Sequence, residues 1–228
     1  MSRFYVLFDF AAFATFVAIW VGYGILVERT GYAPARIHTS MNAYRKIWLA
    51  RTLDREVRML DMQIMAALQN GVSLYASISL LALGGAIAIL RLSDEVISIV
   101  SRLPFAIETT RPVWEGKSIG LAIIFAYAII QFSSSYRIYN WVAILLGAMP
   151  LAQAKDTAEA ANHVKRTVRM NEAATRRFYR GQRAVFFALG YLGWFFGPLT
   201  LIASTAAVVI MMWRLEFPSD VLRAIEDQ

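Results

Sequence analysis

Four stretches of this chain are continuously apolar and long enough to cross a lipid bilayer: residues 4–27, 65–90, 119–149 and 184–213. A hydrocarbon core of about 30 Å needs roughly 20 helical residues. All four blocks exceed that, which implies tilt or extension beyond the bilayer. A membrane-spanning barrel alternates apolar and polar residues along each strand, and these blocks do not alternate. Inside lipid a helix satisfies every backbone polar group within its own segment. The pattern therefore predicts an all-α fold: an integral membrane four-helix bundle over residues 1–228, with helical cytoplasmic extensions. Composition agrees, at 58% hydrophobic and 17% charged residues, against about half and a quarter in soluble domains.

Residues 4–27 are too long for the core of a signal peptide, Asp9 interrupts them, and no small-residue cleavage pattern follows. They are expected to remain as the first helix. Lysine and arginine favour cytoplasmic loops. Residues 28–64 carry seven and residues 150–183 carry eight, whereas 91–118 carry four, 1–3 one and 214–228 two. This predicts a cell-membrane protein whose connectors 28–64 and 150–183 are cytoplasmic, with both termini outside. The same distribution argues against nucleic acid as the partner of a chain with pI near 9.9, because the cations flank spans as ordinary topology requires. Membrane lipid, anionic on the cytoplasmic side, is the expected partner, at about 1 kcal/mol per well-placed cation.

The connectors read as helices. From Thr39 or Ser40, either a plausible N-cap, the chain runs to Asn70 without Gly or Pro. Tyr44, Ile47, Trp48, Leu53, Val57 and Leu60 recur at helical spacing. Residues 150–183 also favour helix, with Gly181 as the weak point. Asp94 to Leu103 reads as a short amphipathic helix before Pro104 and Pro112. Small residues such as Ser73, Ser77, Ala82, Gly85 and Ala86 in the second span, and Gly190, Gly193, Gly197 and Pro198 in the fourth, point to close helix packing and a kink. Together with the excess apolar length they predict a homo-oligomer.

The third block holds the feature hardest to reconcile with lipid, the run QFSSSYRIYNW, with Gln131, Ser134, Arg137 and Asn140. Arg137 lies about 27 Å along the helix from Ile119, near the inner boundary. Tyr136, Tyr139 and Trp141 surround it as an interfacial aromatic belt would. One reading is an arginine snorkelling to the surface. The other is a polar membrane site, in which Arg137 pairs with Asp61 or Glu28 and Gln69 and Asn70 lie nearby. Asp9 is a separate polar residue near the outer face, read either as solvated or as functional.

Signs of catalysis are absent from the sequence. There are no cysteines, and His38 and His163 stand apart without a metal-ligand pattern. No P-loop, nucleophile elbow or dinucleotide fingerprint occurs. No span contains a haem-ligating His. No enzyme activity and no cofactor are expected.

The segments MNAYRKIWL, LDMQIMAALQNGVSLYASISLLALGGAIAIL, QFSSSYRIYNW and RGQRAVFFALGYLGWFFGP, taken in that order, resemble the membrane-protein family catalogued as domain of unknown function 599. The resemblance covers nearly the whole chain. It places Tyr136, Arg137 and Asn140 in an aromatic-Arg-x-x-Asn third helix, and Trp194, Gly197 and Pro198 in a Trp-x-x-Gly-Pro fourth. It implies a four-helix membrane protein and supplies no activity. Two functions compete on the residues: a homo-oligomeric channel or transporter-like assembly using the polar set of the third helix, and a non-transporting accessory or scaffold protein binding anionic lipid or other membrane proteins.

Overall fold

A computed structural model of the chain describes residues 3–29, 34–100 and 110–216. Among the described residues seven α-helices carry the fold: α1 (Arg3–Arg29), α2 (Pro34–Arg51), α3 (Met59–Arg91), α4 (Ser93–Val100), α5 (Arg111–Gly147), α6 (Ala158–Tyr191) and α7 (Pro198–Glu216). The all-α class holds, with no strand among the described residues. Three segments are long and apolar enough to cross a membrane: Leu7–Glu28, Met59–Arg91 and Arg111–Gly147.

The spine of the bundle is α5 against α6. Along α5 the buried residues Trp114, Ser118, Leu121, Phe125, Ala128, Phe132, Ser135, Tyr139, Val142 and Leu146 step alternately by four and three. That is a seven-residue repeat, which keeps one seam facing its partner. On α6 the residues Ala160, Thr167, Ala174, Gly181 and Ala188 are all buried, one every seven. Their small side chains bring the backbones close. A Cβ added at Gly181 would lie 2.7 Å from the Phe132 ring. Met65, Val72, Ser79 and Ala86 repeat the same interval on α3, which packs on the other side of α5. α1 closes the bundle through stacked and edge contacts of Phe13, Phe16 and Trp20 with Phe187, Tyr191 and Trp194.

Two expectations are corrected. The inner connector is not one helix from residue 39 to residue 70. α2 begins at Pro34 and ends at Arg51, and the chain bends through Thr52–Asp54 before α3. The bend is stapled by charge. Asp61 accepts hydrogen bonds from Trp48 Nε1 (2.7 Å) and from Arg55, while Arg58 donates to the carbonyls of Met149 (2.8 Å) and Pro150 (2.6 Å). Nor is the block 184–213 a single span. α6 runs unbroken from the charged connector to Tyr191, gives way to the 3-10 turn Leu192–Phe196, and restarts as α7 at Pro198. Gly197 has φ 127, a conformation that favours glycine, and Pro198 supplies the fixed φ suited to a helix start.

α7 then doubles back on α6. The Gly190 carbonyl accepts from Ser204 Oγ at 2.6 Å, and a Cβ at Gly193 would meet the Thr200 carbonyl at 2.6 Å. α7 packs along α1 and reaches α2. Its end at Met212 and Arg214 thus lies at the α2 end of the bundle, opposite the start of α1. The terminal residues 1, 2 and 217–228 lie outside the described segments, as does 101–109.

Candidate functional site

Two layers of charge cross the bundle. The outer layer joins α1, α5 and the 192–196 turn. Trp194 Nε1 donates to Asp9 Oδ1 at 2.7 Å, and Lys117 Nζ lies 3.8 Å from the same oxygen. Lys117 also donates to the Trp194 carbonyl at 2.9 Å and sits 5.1 Å from the centre of its ring. The break after α6 frees carbonyls from helical pairing, and the buried Lys117 supplies one of the donors. Tyr191 Oη donates to the Lys117 carbonyl at 3.0 Å, closing the layer. Asp9 is therefore a member of a buried ion pair rather than a solvated end group.

The inner layer joins α1 to α6. Glu28 accepts from Arg180 Nε at 2.9 Å and Nη2 at 2.6 Å, and from Arg183 Nη2 at 2.5 Å. The Arg183 side chain is only 9% exposed, so Glu28 is the anion that makes its burial tolerable. Side chains lean toward the N-terminus of their helix, which carries both guanidinium groups toward the α2 end.

Along α1 the two layers are about 29 Å apart, from Asp9 to Glu28 at the helical rise. The hydrocarbon core is about 30 Å. Below the inner layer, the lower parts of α5 and α6 continue with α2 and the start of α3 as a helical extension.

This frame locates the polar stretch of α5. Its residues divide between two faces. Gln131 is buried, its Oε1 without a partner among the described residues, and toward α6 Ser135 Oγ donates to the Ala174 carbonyl at 2.8 Å and Tyr139 Oη meets Thr175 Oγ1 at 3.0 Å. Ser134 is half-buried. Asn140 faces α3 and accepts from Gln69 Nε2 at 2.8 Å, so two residues expected at one site do meet. Asn70, next to Gln69, is exposed. Arg137 is exposed too, its guanidinium 5.8 Å from the Trp141 ring. The structure does not bring Arg137 to either expected carboxylate. Glu28 is held by Arg180 and Arg183, and Asp61 by Arg55 and Trp48. Asp61 also lies eight residues below Gln69, about 12 Å along α3.

Sequence reasoning passed over Lys117, Arg180 and Arg183, the cations that complete the two layers. Lys117 and Arg183 stand within two residues of an apolar block and Arg180 within four, where a cation reads as ordinary flanking charge. It also passed over Asn171 on α6, which is 1% exposed with both amide atoms unpartnered among the described residues. His163 Nε2 donates a hydrogen bond to the Leu145 carbonyl on α5 at 2.8 Å, a packing role. Among the described residues no cluster of three or more His, Asp or Glu is placed to hold a metal ion. At the bend after α2, the exposed Asp54 carboxylate hydrogen-bonds Lys155 at 3.1 Å and raises the Lys155 ammonium above its usual range.

Three helices long and apolar enough to cross a membrane, packed within an all-helical bundle, mark a membrane protein. The chain belongs to the family described as "Protein of unknown function, DUF599", which matches residues 11–221. No curated protein and no solved structure matches it.

Proposed function

We propose that this protein is a non-transporting membrane scaffold that binds anionic lipid at the α2 end of the bundle. The observation that carries the reading is the charge on α6. Its buried face is the seven-residue seam against α5, while Lys165, Arg166, Arg169, Arg176 and Arg177 are exposed and Arg180 stands at the inner layer. Arg176 and Arg177 sit about one turn beyond that layer, at headgroup depth, where each cation attracts anionic lipid by about 1 kcal/mol. The basic end then faces the cytoplasm. The start of α1 faces out, and the end of α7 returns inside with Arg214.

The polar residues of α5 favour this reading over a transport path. Ser135, Tyr139 and Asn140 are engaged by neighbouring helices, and the two acids proposed for a pathway are bound by arginines.

Association of copies accompanies the reading. From Met62 to Leu90, α3 carries no charge over about 42 Å, more than a hydrocarbon core of about 30 Å covers. Its outer face presents Ser73, Ser77, Gly84, Gly85 and Ala88, all exposed. Small residues on a lipid-facing helix serve close packing with another helix.

The experiment is reconstitution into nanodiscs of mixed phosphatidylglycerol and phosphatidylcholine, followed by analysis of the lipid retained on extraction. Enrichment of phosphatidylglycerol that falls with salt and with Arg176→Gln/Arg177→Gln is expected. Retention in the bulk ratio would refute the reading.

A further inference from the structure

Beside the inner layer, α1, α5 and α6 leave a cavity of about 490 Å³. Its walls are Val17, Trp20, Val21, Gly24 and Ile25 of α1 with Tyr127 of α5, and its inner end is Glu28, Arg180 and Arg183. We infer that this groove is a site for one anionic phospholipid of the inner leaflet, with an acyl chain along the α1 wall and the phosphate at the arginines. The inference rests on the lipid-binding reading above and gives it a specific location.

Three observations converge. The first is length. Val17 to Glu28 covers about 16 Å of helix, close to half of a hydrocarbon core of about 30 Å, which is the depth of one leaflet. The second is polarity. Apolar and aromatic walls occupy the part at chain depth, and both guanidiniums stand at the end that meets headgroups. The third is charge. Two arginines face one carboxylate, so the end keeps a net positive charge. Glu28 takes three hydrogen bonds from the pair, and the guanidiniums retain further N–H groups for phosphate oxygens. Glu28 holds the two arginines together and thereby preorganises the phosphate contact.

Gly24 offers a clean test. A Cβ there would meet nothing within 4 Å, so Gly24→Leu starts a side chain in open space on the groove wall and takes space from the acyl chain. The charged end is left intact. Arg183→Gln is the obvious partner variant, but it strips a buried pair and can unfold the protein, so Gly24→Leu decides.

The measurement is native mass spectrometry of the full chain released from detergent. The probes are dioleoyl phosphatidylglycerol, dioleoyl phosphatidylcholine and inorganic phosphate, each added separately. The wild type is expected to retain one tightly bound phosphatidylglycerol per chain, in preference to phosphatidylcholine. Gly24→Leu should weaken that binding about tenfold, the effect of displacing about two methylenes. Equal retention by Gly24→Leu overturns the groove. If Arg176→Gln/Arg177→Gln still lowers total phosphatidylglycerol in that case, the electrostatic reading survives alone. No preference for phosphatidylglycerol in any form overturns both. Inorganic phosphate bound equally by wild type and Gly24→Leu, with no lipid retained, assigns the arginines to a soluble anion and overturns the lipid.

Discussion

Lys117 donates a 2.9 Å hydrogen bond to the carbonyl of Trp194, at the point where the helix from the charged connector breaks and turns back. The same ammonium faces Asp9 across 3.8 Å, with side chains 7% and 15% exposed. One cation thus ties the first helix, the central helix and the hairpin turn. Lys117→Met should destabilise the purified protein by about 3 kcal/mol, because it leaves Asp9 buried without its countercharge. Lys117→Met combined with Asp9→Asn should cost less than the sum of the single changes. Thermal unfolding in detergent measures both, and strict additivity would show that the two residues do not interact.

Arg137 should be nearly silent. It is exposed beside Trp141, and surface changes away from special features stay within about 0.5 kcal/mol. Arg137→Leu should leave the unfolding temperature of the purified protein almost unchanged, whereas Glu28→Gln should lower it by several degrees. A large loss for Arg137→Leu would place a carboxylate partner beside it after all.

Gly85 and Gly193 separate assembly from folding. A Cβ at Gly85 meets nothing within 4 Å, while one at Gly193 meets Ser204 Oγ at 2.2 Å and a backbone carbonyl at 2.6 Å. Gly193→Leu should destabilise the chain itself by forcing α6 and α7 apart. Gly85→Leu should leave the fold intact and reduce only the oligomer, read as particle mass in mild detergent. An unchanged mass for Gly85→Leu, or a monomeric parent protein, removes α3 as the interface.

What the sequence made legible follows from how loud each signal is. Apolar blocks announced helix class and the α1, α3 and α5 spans, because hydropathy over twenty residues outweighs any local feature. The fourth block misled for the same reason. Its apolar length is shared by the top of α6, a 3-10 turn and α7, and hydropathy does not register a reversal. Gly197-Pro198 was visible as a kink, but a kink and a hairpin differ only in where the next helix packs. The repeat Ala160, Thr167, Ala174, Gly181, Ala188 was also present, and it crosses the boundary drawn at residue 184. Had the small residues been followed rather than the charges, connector and span would have read as one helix. Arg137 drew attention because a cation inside an apolar run is conspicuous. Arg180 and Arg183 did not, because cations at the edge of a span are common. Which of them meets Glu28 is decided by tertiary geometry alone.

The account stands on the direction of the basic end, since anionic lipid bound through α6 requires that end to face the cytoplasm and the hairpin then requires α7 to return there. The chain has no cysteine, so single cysteines report location directly. Asp94→Cys, on α4 beyond the outer layer, and Arg214→Cys, at the end of α7, are both exposed positions. With an impermeant maleimide on intact cells, Asp94→Cys should label at once and Arg214→Cys only after permeabilisation. Labelling of both in intact cells would contradict the hairpin, and labelling of Arg214→Cys alone would invert the molecule and remove the cytoplasmic lipid site.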